Sequence, residues 1–166
     1  MRPEDWPEVA RIYAEGIESG IATFETQVPG YESWDRAHLR PCRWVAYDGD
    51  RLLGWAALSP VSGRCVYGGV AELSIYVGAS SRGKGVGKAL LSTLIPDSEA
   101  AGFWTLQSGV FPENTPSIHL HQAMGFRQLG YRERIGQRDG VWKDNLLFER
   151  RSTIVGIPDS EAKHPV

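Results

Sequence analysis

The sequence predicts a mixed α/β fold, in which a largely antiparallel twisted sheet carries helices on both faces. Three observations lead to this prediction. Short runs of β-branched and aromatic residues alternate with segments of helical spacing along the 166 residues. Two strand-like runs flank the turn Asp48-Gly49-Asp50, which is typical of a β-hairpin. The last two strand-like runs follow each other without a helix between them, so the end of the chain is also expected to pair as a hairpin.

The first half of the chain is expected to begin with a helix. Asp5 is suited to cap its start, and apolar residues recur at helical spacing from Val9 to Ile17. The elements predicted in this half are a helix over residues 6–18, a short polar helix over 33–39 and hairpin strands over 43–47 and 52–58. An irregular segment then leads to a buried strand at residues 72–77.

The second half is expected to contain two helices and three strands. The predicted elements are a helix from about residue 85, a strand over 103–110, a helix over 114–124 and strands over 126–131 and 142–149. Residues 132–141 are polar and contain glycine, so a loop is expected there. Pro96 lies inside the first of these helices, where proline costs about 3 kcal/mol or more, so a kink or break is expected at that position.

Composition limits the class of protein. One domain over residues 1–150 is expected, with a loose tail over 151–166. A formal net charge of −2 gives no basic surplus for nucleic acid, and no run of basic residues suggests an anionic membrane. Cys42 and Cys65 lie far apart and form no C-x-x-C motif, and the first residues do not resemble a signal peptide. A cytoplasmic protein with reduced thiols is therefore expected.

The most informative stretch follows the strand at residues 72–77. It contains three alternating glycines and three cations, namely Gly83, Gly85 and Gly87 with Arg82, Lys84 and Lys88. Glycines let backbone N–H groups approach a ligand closely, and the helix that begins here directs its positive end to the same place. Such a loop is suited to a phosphate or pyrophosphate. The spacing fits neither the Walker pattern nor the Rossmann fingerprint.

Two motifs in the correct order resemble the GNAT superfamily of N-acetyltransferases. Arg82-x-x-Gly85-x-Gly87 resembles the loop that binds the pyrophosphate of coenzyme A. The run from Asn114 to Phe126 resembles the GNAT block N-x-x-S-x-x-L-[YH]-x-x-x-G-F. Histidine at position 121, where most GNAT enzymes have tyrosine, is the pattern of the phosphinothricin and methionine sulfoximine/sulfone N-acetyltransferases.

Further segments resemble the same group, so the likeness covers about residues 2–150. These segments are Ala22-Thr23-Phe24-Glu25, Arg64-Cys65-Val66-Tyr67, Glu72-Leu73-Ser74-Ile75-Tyr76-Val77 and Gly140-Val141-Trp142-Lys143-Asp144. One departure is Ser62-Gly63, where the group has a basic or aromatic residue. In the GNAT fold a strand precedes the first helix, and here that strand is expected to be truncated or missing. The resemblance also implies a homodimer.

The resemblance assigns the coenzyme site residue by residue. The loop residues Arg82, Gly83, Lys84, Gly85, Val86, Gly87 and Lys88 would bind the pyrophosphate, and the strand residues Ile75, Tyr76 and Val77 would pair with the pantetheine arm. The Val77 N–H would polarise the thioester carbonyl. Asn114 and Ser117 would contact coenzyme A, although Asn114 is equally suited to cap a helix.

Catalytic and substrate-binding residues follow from the same resemblance. Glu72 would be the general base, because an ammonium must lose a proton before it attacks. His121 would protonate the departing thiolate or contact coenzyme A, and a purely structural histidine is the alternative. The residues that would bind the substrate are Phe24, Arg64, Tyr67, Glu72 and Trp142. For Arg64 a solvated loop position remains the alternative, and for the aromatic residues a place in the core.

The predicted function is acetyl transfer from acetyl-coenzyme A to the amino group of a small amino-acid-like molecule by direct attack in a ternary complex. Phosphinothricin, methionine sulfoximine and methionine sulfone are the substrates that the resemblance implies. No histidine or carboxylate spacing suggests a metal site. The alternatives are an acetyltransferase for a polyamine or a protein N-terminus, and a coenzyme A-binding sensor that does not turn over.

Overall fold

The computed structural model describes residues 1–158. Its helices are α1 (Trp6–Glu18), α2 (Tyr31–Ala37), α3 (Val86–Ala100) and α4 (Thr115–Ala123). Its strands are β1 (Trp44–Asp48), β2 (Arg51–Pro60), β3 (Val70–Val77), β4 (Thr105–Val110), β5 (Arg127–Arg138) and β6 (Val141–Arg151). Short 3-10 turns cover Pro3–Asp5, Cys65–Tyr67 and Ala79–Ser81.

The six strands form one sheet in the order β1-β2-β3-β4-β6-β5. Every neighbouring pair is antiparallel except β3 and β4. Helices α1 and α2 pack on one face over a core that includes Val9, Ile12 and Trp34. Helices α3 and α4 cover the other face, where Leu91 and Phe148 are buried. The predicted mixed sheet with helices on both faces is therefore confirmed.

The sheet opens between β3 and β4. These two strands pair only from Val70↔Thr105 to Glu72↔Gln107. Beyond this point β3 continues to Val77 against β2, and β4 continues to Val110 against β6. The sheet is thus split over the second half of β3, which leaves one edge of that strand without a neighbour.

Helix α1 begins at Trp6 as predicted, but its start is not the expected capping arrangement. The Asp5 carboxylate accepts a hydrogen bond from the Arg2 backbone N–H, 2.6 Å away, and does not cap the helix. Within residues 1–158 no strand precedes α1, because Pro3–Asp5 form a 3-10 turn. The expectation that the first GNAT strand is truncated or missing agrees with this arrangement.

Pro96 does not break its helix, so the expected break is wrong, and the alternative, a kink, stays a prediction. Helix α3 runs from Val86 to Ala100 with Pro96 inside it. The carbonyl that loses its partner belongs to Ser92, an exposed residue whose carbonyl water can reach. Leu94, Ile95 and Ser98 are buried around the proline, so tertiary packing holds this part of the chain in a helix.

The expected loop over 132–141 is also wrong, because most of it is strand. β5 and β6 form a long hairpin joined at Asp139 and Gly140, with φ of +50° and +78°. Positive φ at both central residues is the geometry of the tight hairpin turn that Asp-Gly favours. The hairpin is mostly exposed at this end, so the sequence carries no apolar alternation there.

The predicted tail begins as a tethered segment. The Ser152 N–H donates to Trp104 O at 2.8 Å, and the Arg151 guanidinium donates to the carbonyls of Val155 and Gly156 at 2.7 and 2.6 Å. The rest of the predicted tail, residues 159–166, lies outside the described residues. None of the helices in the described part of the chain is long and apolar enough to cross a membrane.

Candidate active site

The split in the sheet lies between two connected cavities. One is a groove of about 490 Å³ along the glycine loop and the start of α3. The other has a volume of about 570 Å³ and lies between the α1–α2 loop, β3, β4 and the β5–β6 hairpin. Five residues line both: Ala22, Ile75, Tyr76, Asn114 and Ser117. We call the first cavity, along the glycine loop, the groove, and we call the second cavity the chamber.

Most of the predicted site residues lie at these two cavities. Lining the groove are Ile75, Tyr76, Val77, Arg82, Gly83, Gly85, Val86, Gly87, Lys88, Asn114 and Ser117. Lining the chamber are Phe24, Glu72, Ile75, Tyr76, Asn114, Ser117 and His121. The sequence motifs therefore come together at one split in the sheet.

The glycine loop wraps the start of α3. Gly83 and Gly85 have φ of +72° and +81°, and a Cβ at either position would meet no atom within 4 Å. The backbone there is left-handed, which favours glycine, and it is open on its outer side. Arg82 and Lys88 line the same end of the groove. This end combines the positive end of a helix with two cations, which suits an anionic ligand.

The edge of β3 that faces the split has free backbone groups. The Gly78 N–H donates to Leu53 O of β2 at 2.8 Å. Because successive residues of a strand direct their N–H groups to opposite sides, those of Ile75 and Val77 point away from β2. On that side β4 has already diverged, so these groups are available to a ligand in the groove.

Asn114 joins α4 to the α1–α2 loop. Its Oδ1 accepts from the Ser117 N–H at 3.3 Å, so it does cap α4. Its Nδ2 donates to Ile21 O at 3.2 Å. Both hydrogen bonds lie where the groove meets the chamber, so Asn114 positions two parts of the wall at once.

His121 is buried under the chamber with one ring nitrogen unsatisfied. Its Nδ1 lies 2.7 Å from Ser117 O. Because a carbonyl oxygen only accepts, Nδ1 carries the proton and Nε2 carries a lone pair. His121 is 1% exposed, and its Nε2 has no hydrogen-bond partner among residues 1–158. Burial lowers the pKa of His121, so the neutral ring is favoured.

Glu72 lies at the mouth of the split. It is the last residue of β3 that pairs with β4, opposite Gln107, and it also pairs with Ser59 of β2. Its side chain is exposed and lines the chamber. No hydrogen bond or ion pair to it is found among the described residues, so the carboxylate can reach a molecule in the chamber.

Aromatic and hydroxyl groups also line the chamber. The Phe24 ring lies 4.7 Å from that of Phe111, and it packs so closely on Gly136 that a Cβ there would lie 2.8 Å from it. Tyr13 and Tyr76 lie 4.8 Å apart between ring centres. Burial raises the pKa of both tyrosines, so their hydroxyls stay protonated and can donate.

Four predicted residues line neither cavity. Arg64 stacks its guanidinium over the Tyr67 ring at 5.7 Å, and both belong to the exposed segment between β2 and β3. Trp142 is 56% exposed near the tip of the β5–β6 hairpin. Lys84 is exposed between the two left-handed glycines. The structure thus does not bring Arg64, Tyr67 or Trp142 to the chamber.

Sequence reasoning missed several chamber residues: Tyr13, His38, Gln107, Arg132 and Asn145. Tyr13 is part of the predicted apolar helix face, Asn145 falls in the predicted strand over 142–149, and Arg132 falls in the expected loop over 132–141. The Asp139-Gly140 turn signal would have indicated that this segment pairs. Within residues 1–158 no group of three or more His, Cys, Asp or Glu residues is arranged to hold a metal ion.

Comparison with known proteins identifies relatives of this chain. It is 34% identical over 158 residues to a phosphinothricin N-acetyltransferase of Alcaligenes faecalis, covering 90% of this chain and 79% of the relative. It is 30% identical over 154 residues to an L-methionine sulfoximine/L-methionine sulfone acetyltransferase of Pseudomonas aeruginosa, covering 87% and 88%.

Solved structures give the same result for the fold. A GNAT superfamily phosphinothricin acetyltransferase from Sinorhizobium meliloti, in complex with AcCoA, matches with a TM-score of 0.83 and 28% identity over 100% of this chain and 90% of that one. A ribosomal-protein-alanine N-acetyltransferase from Brucella melitensis matches with a TM-score of 0.81 and 26% identity, over 92% and 97%. The family model described as "Acetyltransferase (GNAT) family" matches residues 6–126. The chain therefore belongs to the GNAT family of acetyltransferases.

Proposed function

We propose that this protein transfers an acetyl group from acetyl-coenzyme A to the amino group of a small amino-acid-like substrate by direct attack in a ternary complex. Phosphinothricin, methionine sulfoximine and methionine sulfone represent the substrate type, as the relatives' names suggest. The observation that carries the proposal is that the groove and the chamber meet at the free edge of β3. One molecule in each would bring the two reacting groups together.

The groove fits acetyl-coenzyme A, which would supply the acetyl group. Left-handed glycines at 83 and 85, open on their outer side, leave room for a diphosphate beside the helix end. The backbone groups of Ile75 and Val77 can pair with an amide-rich arm as an added strand would. Val77 N–H is the donor that we assign to the acetyl carbonyl oxygen. Asn114 and Ser117 line the passage to the chamber.

We assign the role of general base to Glu72. An amine is protonated at neutral pH and must lose that proton before it can attack. Glu72 faces the chamber without a competing partner among the described residues, so its carboxylate is available to the ammonium directly or through water. Its place at the mouth of the split is next to the strand edge that would hold the acetyl group.

We assign to His121 a hydrogen bond in the same site. Its Nδ1–H is already committed to Ser117 O, which leaves only the Nε2 lone pair for the chamber. In this state His121 accepts a hydrogen bond, from the amine or from a water beside it. The role of acid toward the departing thiolate would require a second proton on a ring whose burial opposes that charge.

Transfer through an acylated cysteine is disfavoured. Cys42 lies in the core against α3, and its burial together with Asp97 raises the pKa of its thiol to about 12. Cys65 is exposed in the segment that carries Arg64 and lines neither cavity. Direct attack by the amine is therefore the simpler route.

The experiment that tests the proposal measures release of free thiol from acetyl-coenzyme A with a panel of amines. The panel holds phosphinothricin, methionine sulfone, methionine sulfoximine, spermidine and a short peptide. Turnover with the first three supports the proposal. Turnover only with spermidine or the peptide contradicts the substrate class, and binding of coenzyme A with no turnover indicates a sensor.

We also propose a homodimer, because β5 forms one end of the sheet and carries exposed apolar side chains. Leu129, Tyr131 and Ile135 are 44%, 57% and 51% exposed on this strand. An edge strand with such side chains is suited to a second copy of the chain. Light scattering on the purified protein tests this. The cytoplasmic location, the absence of a metal and the single domain over residues 1–150 stay predictions.

A further inference from the structure

Besides His121, a second buried polar side chain in the chamber has an atom without a partner among the described residues. Asn145, on β6, is 8% exposed, and its Oδ1 makes no hydrogen bond to any described residue. Asn145 lines the chamber. Leaving a buried amide oxygen unpaired costs about 1–3 kcal/mol, so a hydrogen-bond donor is expected to reach it when the chamber is occupied.

Gly109 of β4 makes room for this amide. A Cβ at Gly109 would lie 2.7 Å from Nδ2 of Asn145 and 3.1 Å from Oδ1. Any larger residue at 109 would therefore displace the amide. The two residues form a matched pair, in which the missing side chain on one strand accommodates the polar side chain on the next.

Arg132 is the cross-strand partner of Asn145. The two residues are directly opposite in the β5–β6 pairing, so their side chains lie on the same face of the sheet. Arg132 also lines the chamber, and no other lysine or arginine among residues 1–158 does so. Its guanidinium forms no ion pair or hydrogen bond with another described residue.

A bulge directs Arg132 toward the chamber. The β5–β6 register shifts between Arg132 and Gly136, and Arg134 has a left-handed φ of +46°. Asp144 holds the bulge, because its Oδ1 accepts from the Arg134 N–H at 2.7 Å and its Oδ2 accepts from the Tyr131 hydroxyl. Bulges of this kind commonly redirect side chains next to active sites.

The charges around the chamber are arranged for a zwitterion. Glu25 and Glu72 are its carboxylates, and Arg132 is its one guanidinium. We propose that Arg132 and Asn145 form a subsite for an oxyanionic group of the substrate, such as a carboxylate. In the bound state Arg132 would donate one N–H to Asn145 Oδ1, which is unpaired in the structure, and others to the oxyanion, while Asn145 Nδ2 adds a second donor.

This inference rests on the proposed function, because it names the residues that select an amino acid over a simple amine. Arg64, the residue expected from the sequence for this contact, lies outside the chamber. The oxygen atoms could come from the α-carboxylate or from a sulfone or phosphinate at the other end of the molecule. Both present the same kind of acceptor to a guanidinium and an amide.

The test is isothermal titration of the whole chain, in the presence of coenzyme A, with three probes. L-methionine sulfone has both groups, L-norleucine has only the carboxylate and 3-(methylsulfonyl)propylamine has only the sulfone. Arg132→Gln should weaken binding of methionine sulfone about 10-fold or more, as expected for hydrogen bonds to a charged group. Loss with norleucine but not the propylamine assigns the carboxylate, and the reverse assigns the sulfone.

Two further variants sharpen the result. Asn145→Leu removes the amide at similar volume and should weaken the same probes several-fold, whereas Asn145→Asp should weaken them more because its carboxylate competes for Arg132. Arg134→Gln is the matched control, because Arg134 belongs to the same bulge, pairs with Glu133 at 2.9 Å and does not line the chamber.

The subsite would be overturned if Arg132→Gln bound all three probes as the wild type does, or weakened all three equally. The subsite would also be overturned if the wild type bound neither L-methionine sulfone nor L-norleucine. If the proposed function were wrong but the subsite were right, the result would be different. No amine would be acetylated, yet Arg132→Gln would still weaken binding of some of the three probes and not of the others. Turnover that survives Arg132→Gln unchanged overturns the subsite alone.

Discussion

His121 donates from Nδ1 to Ser117 O, 2.7 Å away and one turn earlier on α4, and this one contact determines what the histidine can do. It fixes the tautomer and leaves Nε2 as a buried acceptor in the wall of the chamber. The rings of Phe126 and Phe148, at 5.1 and 5.7 Å, keep water away from the rest of the side chain. The neutral imidazole is therefore the state that this site favours.

The stability of the protein should fall as the pH drops below the usual histidine value. Burial lowers the folded-state pKa of His121 from 6.5, so the unfolded chain binds a proton that the folded chain does not. This stability is present above pH 6.5 and is lost as the pH falls toward the lowered pKa. Urea unfolding at pH 7.5 and 5.5 should show a smaller difference for His121→Asn than for the wild type.

His119 offers the matched control on the same helix. It is exposed, so His119→Asn should keep the pH dependence of the wild type. His38 is half-buried and its pKa is also lowered by burial, so part of the wild-type dependence should survive in His121→Asn. An unchanged pH dependence in His121→Asn would contradict the account of a buried neutral ring.

Glu72→Gln should lower kcat by roughly 10²–10⁴-fold, which is the usual contribution of a general base. Glutamine keeps the shape of the side chain but cannot take a proton from the ammonium. The affinity for coenzyme A should be unchanged, because Glu72 lines the chamber and not the groove. Glu133→Gln, on the exposed bulge of β5, is the control and should behave as the wild type. A protein that only senses coenzyme A would show no turnover in the wild type or in either variant, and both variants would bind coenzyme A as the wild type does.

Gly85→Ala should weaken coenzyme A binding and lower stability by about 1–2 kcal/mol, the cost of a left-handed backbone with a side chain. Gly85 has φ of +81° at the start of α3, and a Cβ would meet nothing within 4 Å, so the effect would come from backbone strain alone. Gly63→Ala is the control, because its Cβ also meets nothing and its φ is not positive. Equal effects of the two changes on coenzyme A titration would argue against the role of the loop.

The motifs that determine the site could be read from the sequence because each depends on local chemistry. The glycine loop needs left-handed residues before a helix, and Asn114 is followed by the residues of a helix start. The resulting predictions of strand, loop and helix around residues 72–88 and 114–124 are confirmed. The two helix-covered faces could also be predicted, since their apolar residues recur at helical spacing.

The rest depends on long-range pairing, which the sequence reports poorly. Arg132 and Asn145 meet only because β5 and β6 are long strands in a particular register with a bulge. Arg132 lies in an exposed, polar part of β5 that lacks the alternation that marks a strand, whereas Asn145 lies in a strand that could be predicted but whose partner could not. The unbroken helix through Pro96 differs from the sequence prediction for a related reason, because packing around Ile95 and Ser98 overrides a local helix breaker.

Pro96→Ala should stabilise the protein by about 1–3 kcal/mol, because proline is that much less favourable than alanine inside a helix. The side chain is exposed, so little packing is lost, and the new N–H can donate to Ser92 O. The midpoint of guanidinium unfolding measures the change. A variant less stable than the wild type would show that Pro96 is needed for packing or for restricting the unfolded chain.

The most direct test of the central claim is mass spectrometry of the products formed from L-methionine sulfone and acetyl-coenzyme A. We expect N-acetyl-methionine sulfone and free coenzyme A in equal amounts, with both falling together in Glu72→Gln. Release of coenzyme A without an acetylated amine, or no reaction although acetyl-coenzyme A binds, would contradict it.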